Sequence, residues 1–169
     1  FQDENCTGVG AKCDQQLARF ELDLQHLQPI GGGFDGYVRL NAVEALGDPL
    51  PSASKTVIGG PANVRGFASA AATGDNGYFA SAGVRYGIRA GDALLQLRAF
   101  ADHGYVDLET AVAAGKDEEL TSAGLGLDVQ FTTHFNAKLD ASHPIDEDNP
   151  AFTEGRDDVR LFGAVSVNF

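Results

Sequence analysis

The sequence feature that most constrains the fold is a period-two alternation of apolar and polar side chains, which recurs along most of the chain. Because successive side chains of a β-strand point to opposite faces, this pattern predicts strands with one apolar and one polar face. In the last such segment, Leu161, Val165 and Val167 alternate with Arg160 and Ser166. The predicted segments are 19–25, 37–42, 78–88, 93–102, 123–131, 135–142 and 159–169. The pattern therefore predicts an all-β fold of seven antiparallel strands.

Two features favour a transmembrane β-barrel over a soluble β-sandwich, whose strands also alternate. The polar faces carry charged side chains, among them Arg39, Arg85, Arg98 and Asp102, which suit a water-filled lumen. The apolar faces are rich in small residues, which lipid tolerates but which leave voids in a packed core. The segments also approach the roughly 9–11 residues that a tilted strand needs to cross a bilayer. We therefore predict an antiparallel transmembrane β-barrel.

The connections between the predicted strands alternate in length. Short turns are predicted at 29–33, 89–92 and 132–134, and long acidic or glycine-rich loops at 47–76, 109–119 and 146–158. Clustered acids such as those at 117–119 usually lie in solvated loops. Short turns at one rim and long loops at the other are typical of outer-membrane barrels. The net charge of −12 argues against a nucleic-acid partner.

Three residues near the chain ends carry further predictions. Phe169 ends the last predicted strand, and we interpret this terminal aromatic as a barrel signal. Cys6 and Cys13 lie close together in a polar stretch, where a loop disulfide is expected in an oxidising compartment and free thiols remain the alternative. We find no further ligands in register with the cysteines for a metal, and no motif for a cofactor or catalysis.

Two motifs carry a resemblance to a known family. The longest loop contains Gly59 and Gly60 followed by the tetrad Val64, Arg65, Gly66 and Phe67, and a later strand contains Phe100, Asp102 and Gly104 in a Phe-x-Asp-x-Gly pattern. In both, the chain resembles the two-partner secretion transporters of the hemolysin-activator type, which belong to the same superfamily as the outer-membrane insertase. One departure is visible, because the strand after the loop often carries a lumenal Glu in that family and here reads Gly83, Val84 and Arg85.

The resemblance implies a fold and a function. Residues 1–169 would form the C-terminal part, about seven strands, of a barrel of about sixteen strands, preceded by periplasmic POTRA domains. The loop at about 47–77 would fold into the lumen, where Arg65 would pair with Asp102. The implied function is a bacterial outer-membrane pore that moves an unfolded exoprotein to the cell surface, with no cofactor. The implied partners are that exoprotein, outer-membrane lipid and the barrel assembly machinery.

Three alternatives remain open at this stage. The same scaffold serves insertases, which assemble other outer-membrane proteins. A small, complete eight-stranded barrel acting as an adhesin or anchor would need an eighth strand within 1–16, where the sequence shows only a polar, cysteine-containing stretch. Finally, a barrel of this kind can anchor a catalytic domain that lies elsewhere in the protein.

Overall fold

The computed structural model describes residues 17–47, 51–107, 117–131, 134–145 and 159–168. Cys6, Cys13 and Phe169 lie outside these ranges, as do most of the two predicted acidic loops, so the disulfide and the terminal signal stay predictions. Among the described residues, no helix has the length and apolarity that a membrane-spanning helix needs.

Seven long strands form one sheet in which every neighbouring pair is antiparallel. The strands in chain order are β1 (Leu17–Gly31), β2 (Phe34–Gly47), β3 (Thr56–Ile58), β4 (Ala72–Gly74), β5 (Asn76–Ala90), β6 (Ala93–Asp107), β7 (Asp117–Phe131), β8 (Phe135–Pro144) and β9 (Arg160–Val167). The large sheet has the order β1-β2-β5-β6-β7-β8-β9 and is not closed, with β1 and β9 as its edges in the described part of the chain. This confirms the predicted fold class, an all-β antiparallel partial β-barrel.

The strands extend further than the alternation predicted, and one prediction is wrong. Asp117, Glu118 and Glu119 were expected in a solvated loop, but they form the start of β7. The reason is cross-strand pairing: Asp117 lies opposite Asp107 and Glu119 lies opposite Tyr105, so the backbone ladder continues beyond the amphipathic part of the strand. The short turns after β1 and β5 are where they were predicted, at Gly32–Gly33 and Gly91–Asp92.

The sheet has two chemically different faces. The polar face carries Arg39, Ser81, Arg98, Asp102 and Asp140, and the long loop, defined here as residues 51–75, packs on it. The apolar face carries exposed aliphatic side chains such as Leu125 at 66% and Val84 at 46% exposure. The buried apolar cluster lies between the long loop and the sheet and comprises Ile58, Val64, Phe67, Ala72, Phe79, Val106 and Leu120. Burial of this cluster holds the loop against one face of the sheet.

Candidate functional site

The long loop has a fold of its own. It begins with a single 3-10 turn at Ser52–Ser54 and contains the two-stranded sheet formed by β3 and β4, with Ile58 opposite Ala72. Sequence reasoning predicted only an irregular loop here, because a three-residue strand is too short to show alternation. Lys55 at one end of the loop pairs with the buried Asp75 at the other, with 3.1 Å between Nζ and Oδ2. The loop is therefore closed at its base by a part-buried ion pair.

Asn63 organises the turn that presents the tetrad. Its Oδ1 accepts hydrogen bonds from the backbone N–H groups of Gly59 at 2.8 Å and Val64 at 2.7 Å, and its Nδ2 donates to the carbonyl oxygen of Val57 at 2.9 Å. Gly59 has a φ of +99°, and a Cβ there would lie 2.6 Å from the carbonyl oxygen of Ala68. The turn thus depends on one side-chain amide and on a glycine that no other residue can replace without strain.

We expect Asn63→Ala to loosen the long loop, because two backbone N–H groups and one carbonyl lose their partner. Each lost hydrogen bond costs about 0.5–1.5 kcal/mol, so proteolytic cleavage of the loop in the purified protein should accelerate at least several-fold. Asn63→Asp keeps the oxygen that accepts both N–H groups and should have a smaller effect. Equal cleavage rates in Asn63→Ala and the unmodified protein would contradict this role.

The structure brings Arg65 of the tetrad into contact with Asp102 on β6. Arg65 Nε lies 2.7 Å from Asp102 Oδ2 and Arg65 Nη2 lies 2.7 Å from Oδ1, so the guanidinium binds the carboxylate through both oxygens. The backbone N–H of Arg65 also donates to Oδ2 at 3.1 Å, and the hydroxyl of Ser81 on β5 donates to Oδ1 at 2.6 Å. Arg65 is 6% exposed and Asp102 1%. A bidentate, fully buried pair of this kind is geometrically specific and strong.

Phe100, the first residue of the Phe-x-Asp-x-Gly pattern, supports the same guanidinium. Arg65 Cζ lies 3.3 Å from the centroid of the Phe100 ring, which is the geometry of a cation–π contact. The ring in turn lies over Gly124 on β7, where an added Cβ would come within 2.5 Å of Phe100 Cζ. The missing side chain at Gly124 therefore leaves room for the Phe100 ring beside Arg65.

The remaining motif residues also meet across the boundary between loop and sheet. A Cβ at Gly104 would lie 2.7 Å from Val64 Cγ2, so Gly104 makes room for the first residue of the tetrad. Gly66 has a φ of +100°, and a Cβ there would lie 3.1 Å from Ser122 Cβ on β7. Phe67 belongs to the buried apolar cluster. The tetrad and the Phe-x-Asp-x-Gly pattern thus form one continuous contact.

The electrostatics of the site keep Arg65 charged. Burial lowers the pKa of the Arg65 guanidinium, but hydrogen bonding and the charge of Asp102 outweigh burial, and the pKa lies above its ordinary value. Within a buried pair, each charge depends on the other for solvation. The contact can therefore be broken only by moving the loop away and rehydrating both groups.

Sequence reasoning missed two partners of this pair. Ser81 bonds both Arg65 and Asp102, and Asp140 on β8 places Oδ2 3.9 Å from Arg65 Nη1. Alternation already assigned both residues to polar faces, but their meeting depends on the register of four strands. Within the described ranges, no group of three or more His, Cys, Asp or Glu side chains is arranged to hold a metal.

A cavity of about 520 Å³ lies beside the long loop, between Pro61–Asn63 and the polar face. Its lining is mixed: it contains apolar side chains such as Leu27 and Phe79 together with the polar residues Gln25, Arg39, Arg85, Gln96, Arg98 and Lys138. The loop therefore leaves a space next to the sheet that several charged and amide side chains reach.

An antiparallel sheet with one apolar, exposed face, and with a loop ion-paired to its polar face, has the features of a partial β-barrel of the outer-membrane class. The sequence model of the haemolysin secretion/activation proteins ShlB/FhaC/HecB matches residues 5–129, most of the chain. The chain belongs to this family of bacterial outer-membrane transporters for two-partner secretion. A comparison with curated proteins gave no match.

Proposed function

We propose that this chain forms part of the wall of a pore that moves an unfolded partner exoprotein of the hemolysin or adhesin type to the cell surface. The polar face lines the path, and the long loop stands in the lumen. The apolar face contacts outer-membrane lipid, and the barrel assembly machinery inserts the protein. The described strands form part of a larger barrel, because free strand edges such as those of β1 and β9 leave backbone groups unpaired in lipid.

The observation that carries this proposal is the buried Arg65–Asp102 pair. It fastens the long loop to the polar face at the middle of the sheet, through a bidentate contact with both nitrogen–oxygen distances at 2.7 Å. Burial of a charged side chain is not expected in an ordinary surface loop, because desolvating that charge is costly. We infer that Arg65 sets the position of the loop in the lumen, and that Val64, Gly66 and Phe67 fit it to the wall.

The cavity beside the loop suits an extended polypeptide. Its lining side chains include arginines, a lysine and amides that hydrogen-bond to backbone carbonyls without regard to sequence. A chain that crosses in an unfolded state presents such carbonyls along its whole length. The polar face therefore has the chemistry that a sequence-tolerant path requires.

The proposal is tested by photo-crosslinking from two adjacent positions on opposite faces of β6. Gln96 lines the cavity, whereas Leu97 points to the apolar face and is 48% exposed. A photoreactive amino acid at Gln96 of the full-length protein is expected to crosslink the co-expressed exoprotein during secretion. The same amino acid at Leu97 is expected to give no such product, because that face contacts lipid.

Two results would count against the pore. The first is no exoprotein adduct from Gln96 while secretion proceeds normally. The second is equal adduct formation from Gln96 and Leu97, which would place the exoprotein on both faces. Secretion levels of both variants serve as the control for folding.

A further inference from the structure

Asp140 is a buried carboxylate that no part of the tetrad or the Phe-x-Asp-x-Gly pattern includes. It lies on β8 and is 1% exposed. Three cations surround it: Arg98 Nη2 lies 2.7 Å from Oδ1, Lys138 Nζ 3.2 Å from Oδ2, and Arg65 Nη1 3.9 Å from Oδ2. Burying a carboxylate this completely is costly unless nearby cations and hydrogen bonds compensate for the lost hydration.

The register of three strands builds the contact between Arg98 and Asp140. Arg98 on β6 lies opposite Gly126 on β7, and Gly126 lies opposite Asp140 on β8. A Cβ at Gly126 would lie 2.8 Å from Arg98 Nη2 and would also collide with Asp140 Oδ1. Because Gly126 has no side chain, Arg98 and Asp140 can meet over the middle strand, β7.

The charges of this group balance. Arg65, Arg98 and Lys138 carry three positive charges, and Asp102, Asp128 and Asp140 carry three negative charges. Asp128 binds Arg98 at 2.6 Å and has no contact with Arg65 among the ion pairs of the described residues. Arg65 is the one member of the group that comes from the long loop. Moving the loop away consequently leaves an excess of one negative charge on the wall.

The guanidinium of Arg65 divides its nitrogens between two carboxylates. Asp102 takes Nε and Nη2, and Nη1 is directed toward Asp140. Asp140 Oδ2 is buried and, within the described structure, accepts no hydrogen bond of good geometry, although Lys138 Nζ lies 3.2 Å away as an ion pair. Arg65 Nη1 is a second cation that faces the same oxygen, at 3.9 Å.

We infer that Asp140 is a positioning residue for the long loop: it acts as the second counter-ion of Arg65 and couples the loop to Arg98 and to strands β6–β8. The inference rests on the proposed role of the loop in the lumen. Asp102 holds the Arg65 guanidinium through two hydrogen bonds, and Asp140 attracts its third nitrogen by charge. On the other side of Asp102, β5 presents Ser81, whose hydroxyl is neutral. The second negative charge near Arg65 is therefore that of Asp140 on β8.

The test measures hydrogen exchange of peptides from the long loop in the full-length purified protein. Asp140→Asn is expected to raise exchange in residues 56–74 about tenfold, since Arg65 loses a buried negative charge beside it and the loop opens more often. Asp128→Asn is the matched control, because it also removes a carboxylate from Arg98 but none from Arg65, and it should change loop exchange less than about twofold. Gly126→Ala should act in the same direction as Asp140→Asn, because the added Cβ would displace the Asp140 carboxylate from its place beside Arg65.

Three results would overturn the inference. One is an equal rise in loop exchange from Asp128→Asn and Asp140→Asn. Another is a rise from Asp140→Asn that spreads equally over β7 and β8, which indicates general destabilisation. The third is an additive effect of Asp140→Asn on an Arg65→Ala background, where a residue acting through Arg65 should add nothing. Asp140→Glu, which keeps the charge, is expected to restore most of the protection.

Hydrogen exchange separates this inference from the proposed function. The exchange experiment needs no exoprotein and reads only the position of the loop. If exchange behaves as expected but Gln96 crosslinks no exoprotein, the pore proposal fails and the role of Asp140 stands. If Gln96 crosslinks the exoprotein but Asp128→Asn and Asp140→Asn are alike, the pore stands and the role of Asp140 fails.

Discussion

Arg65→Ala in the full-length protein is expected to lower secretion of the partner exoprotein about tenfold or more, with the barrel still inserted. The substitution leaves Asp102 buried with the Ser81 hydroxyl and the backbone N–H of residue 65 as its remaining donors. An uncompensated buried charge costs about 3–5 kcal/mol, so the loop is expected to shift and let water reach Asp102. The measurement is the amount of exoprotein in the medium relative to the amount in the periplasm.

Two further variants make this result specific. Arg65→Lys keeps the charge but loses the bidentate geometry and the guanidinium contact with the Phe100 ring, so secretion should fall to an intermediate level. Arg89→Ala is the matched control: Arg89 lies on the same face of β5 as Ser81, is exposed, and does not line the cavity. Normal secretion by Arg65→Ala, or an equal loss in Arg89→Ala, would contradict the role of the loop. Heat-modifiable migration on gels shows that each barrel is folded.

Val84→Arg is expected to lower strongly the amount of folded protein in the outer membrane. Val84 lies near the middle of β5 on the apolar face, where it is 46% exposed. An arginine facing lipid near the bilayer midplane costs about 2–4 kcal/mol. A cost of this size is comparable to a large part of a domain's total stability, which is about 5–15 kcal/mol. The measurement is the fraction of protein that is folded and membrane-inserted, by heat-modifiable migration of outer-membrane fractions.

Ile88→Arg is the control for depth. Ile88 lies on the same face of the same strand, two residues before its end at Ala90. Near the interface, arginine costs only about 0–1 kcal/mol, because its guanidinium reaches the headgroups and water. Equal losses in the two variants would show that the apolar face does not contact lipid in the proposed way, and so would equal tolerance of both.

Sequence reasoning recovered the seven strands because alternation is a local property. Where one face of a strand is apolar, every second residue is apolar, as Leu125 and Leu127 are on β7. The ends of the strands could not be predicted from alternation, because pairing with a neighbour extends a strand past its amphipathic part. Asp117 and Glu119 are strand residues for this reason, although their charge suggested a loop.

Part of the site could be predicted from the sequence, but from motifs and not from alternation. The resemblance of the tetrad and the Phe-x-Asp-x-Gly pattern to a transporter family predicted that Arg65 meets Asp102, and the structure places them in contact. Their function in secretion stays a prediction. The short strands β3 and β4 and the hydrogen bonds of Asn63 left no pattern that could be read, since three-residue strands show no periodicity.

The sequence by itself determined which residues face which side of each strand, because the period of two is set by backbone geometry. It thereby assigned Arg98, Asp102 and Asp140 to polar faces. Only the tertiary structure decided which of these residues meet, because that depends on register across neighbouring strands and on the path of the long loop. Gly126 illustrates the difference. In the sequence it is one glycine among 21, whereas in the sheet its missing side chain leaves the space in which Arg98 contacts Asp140.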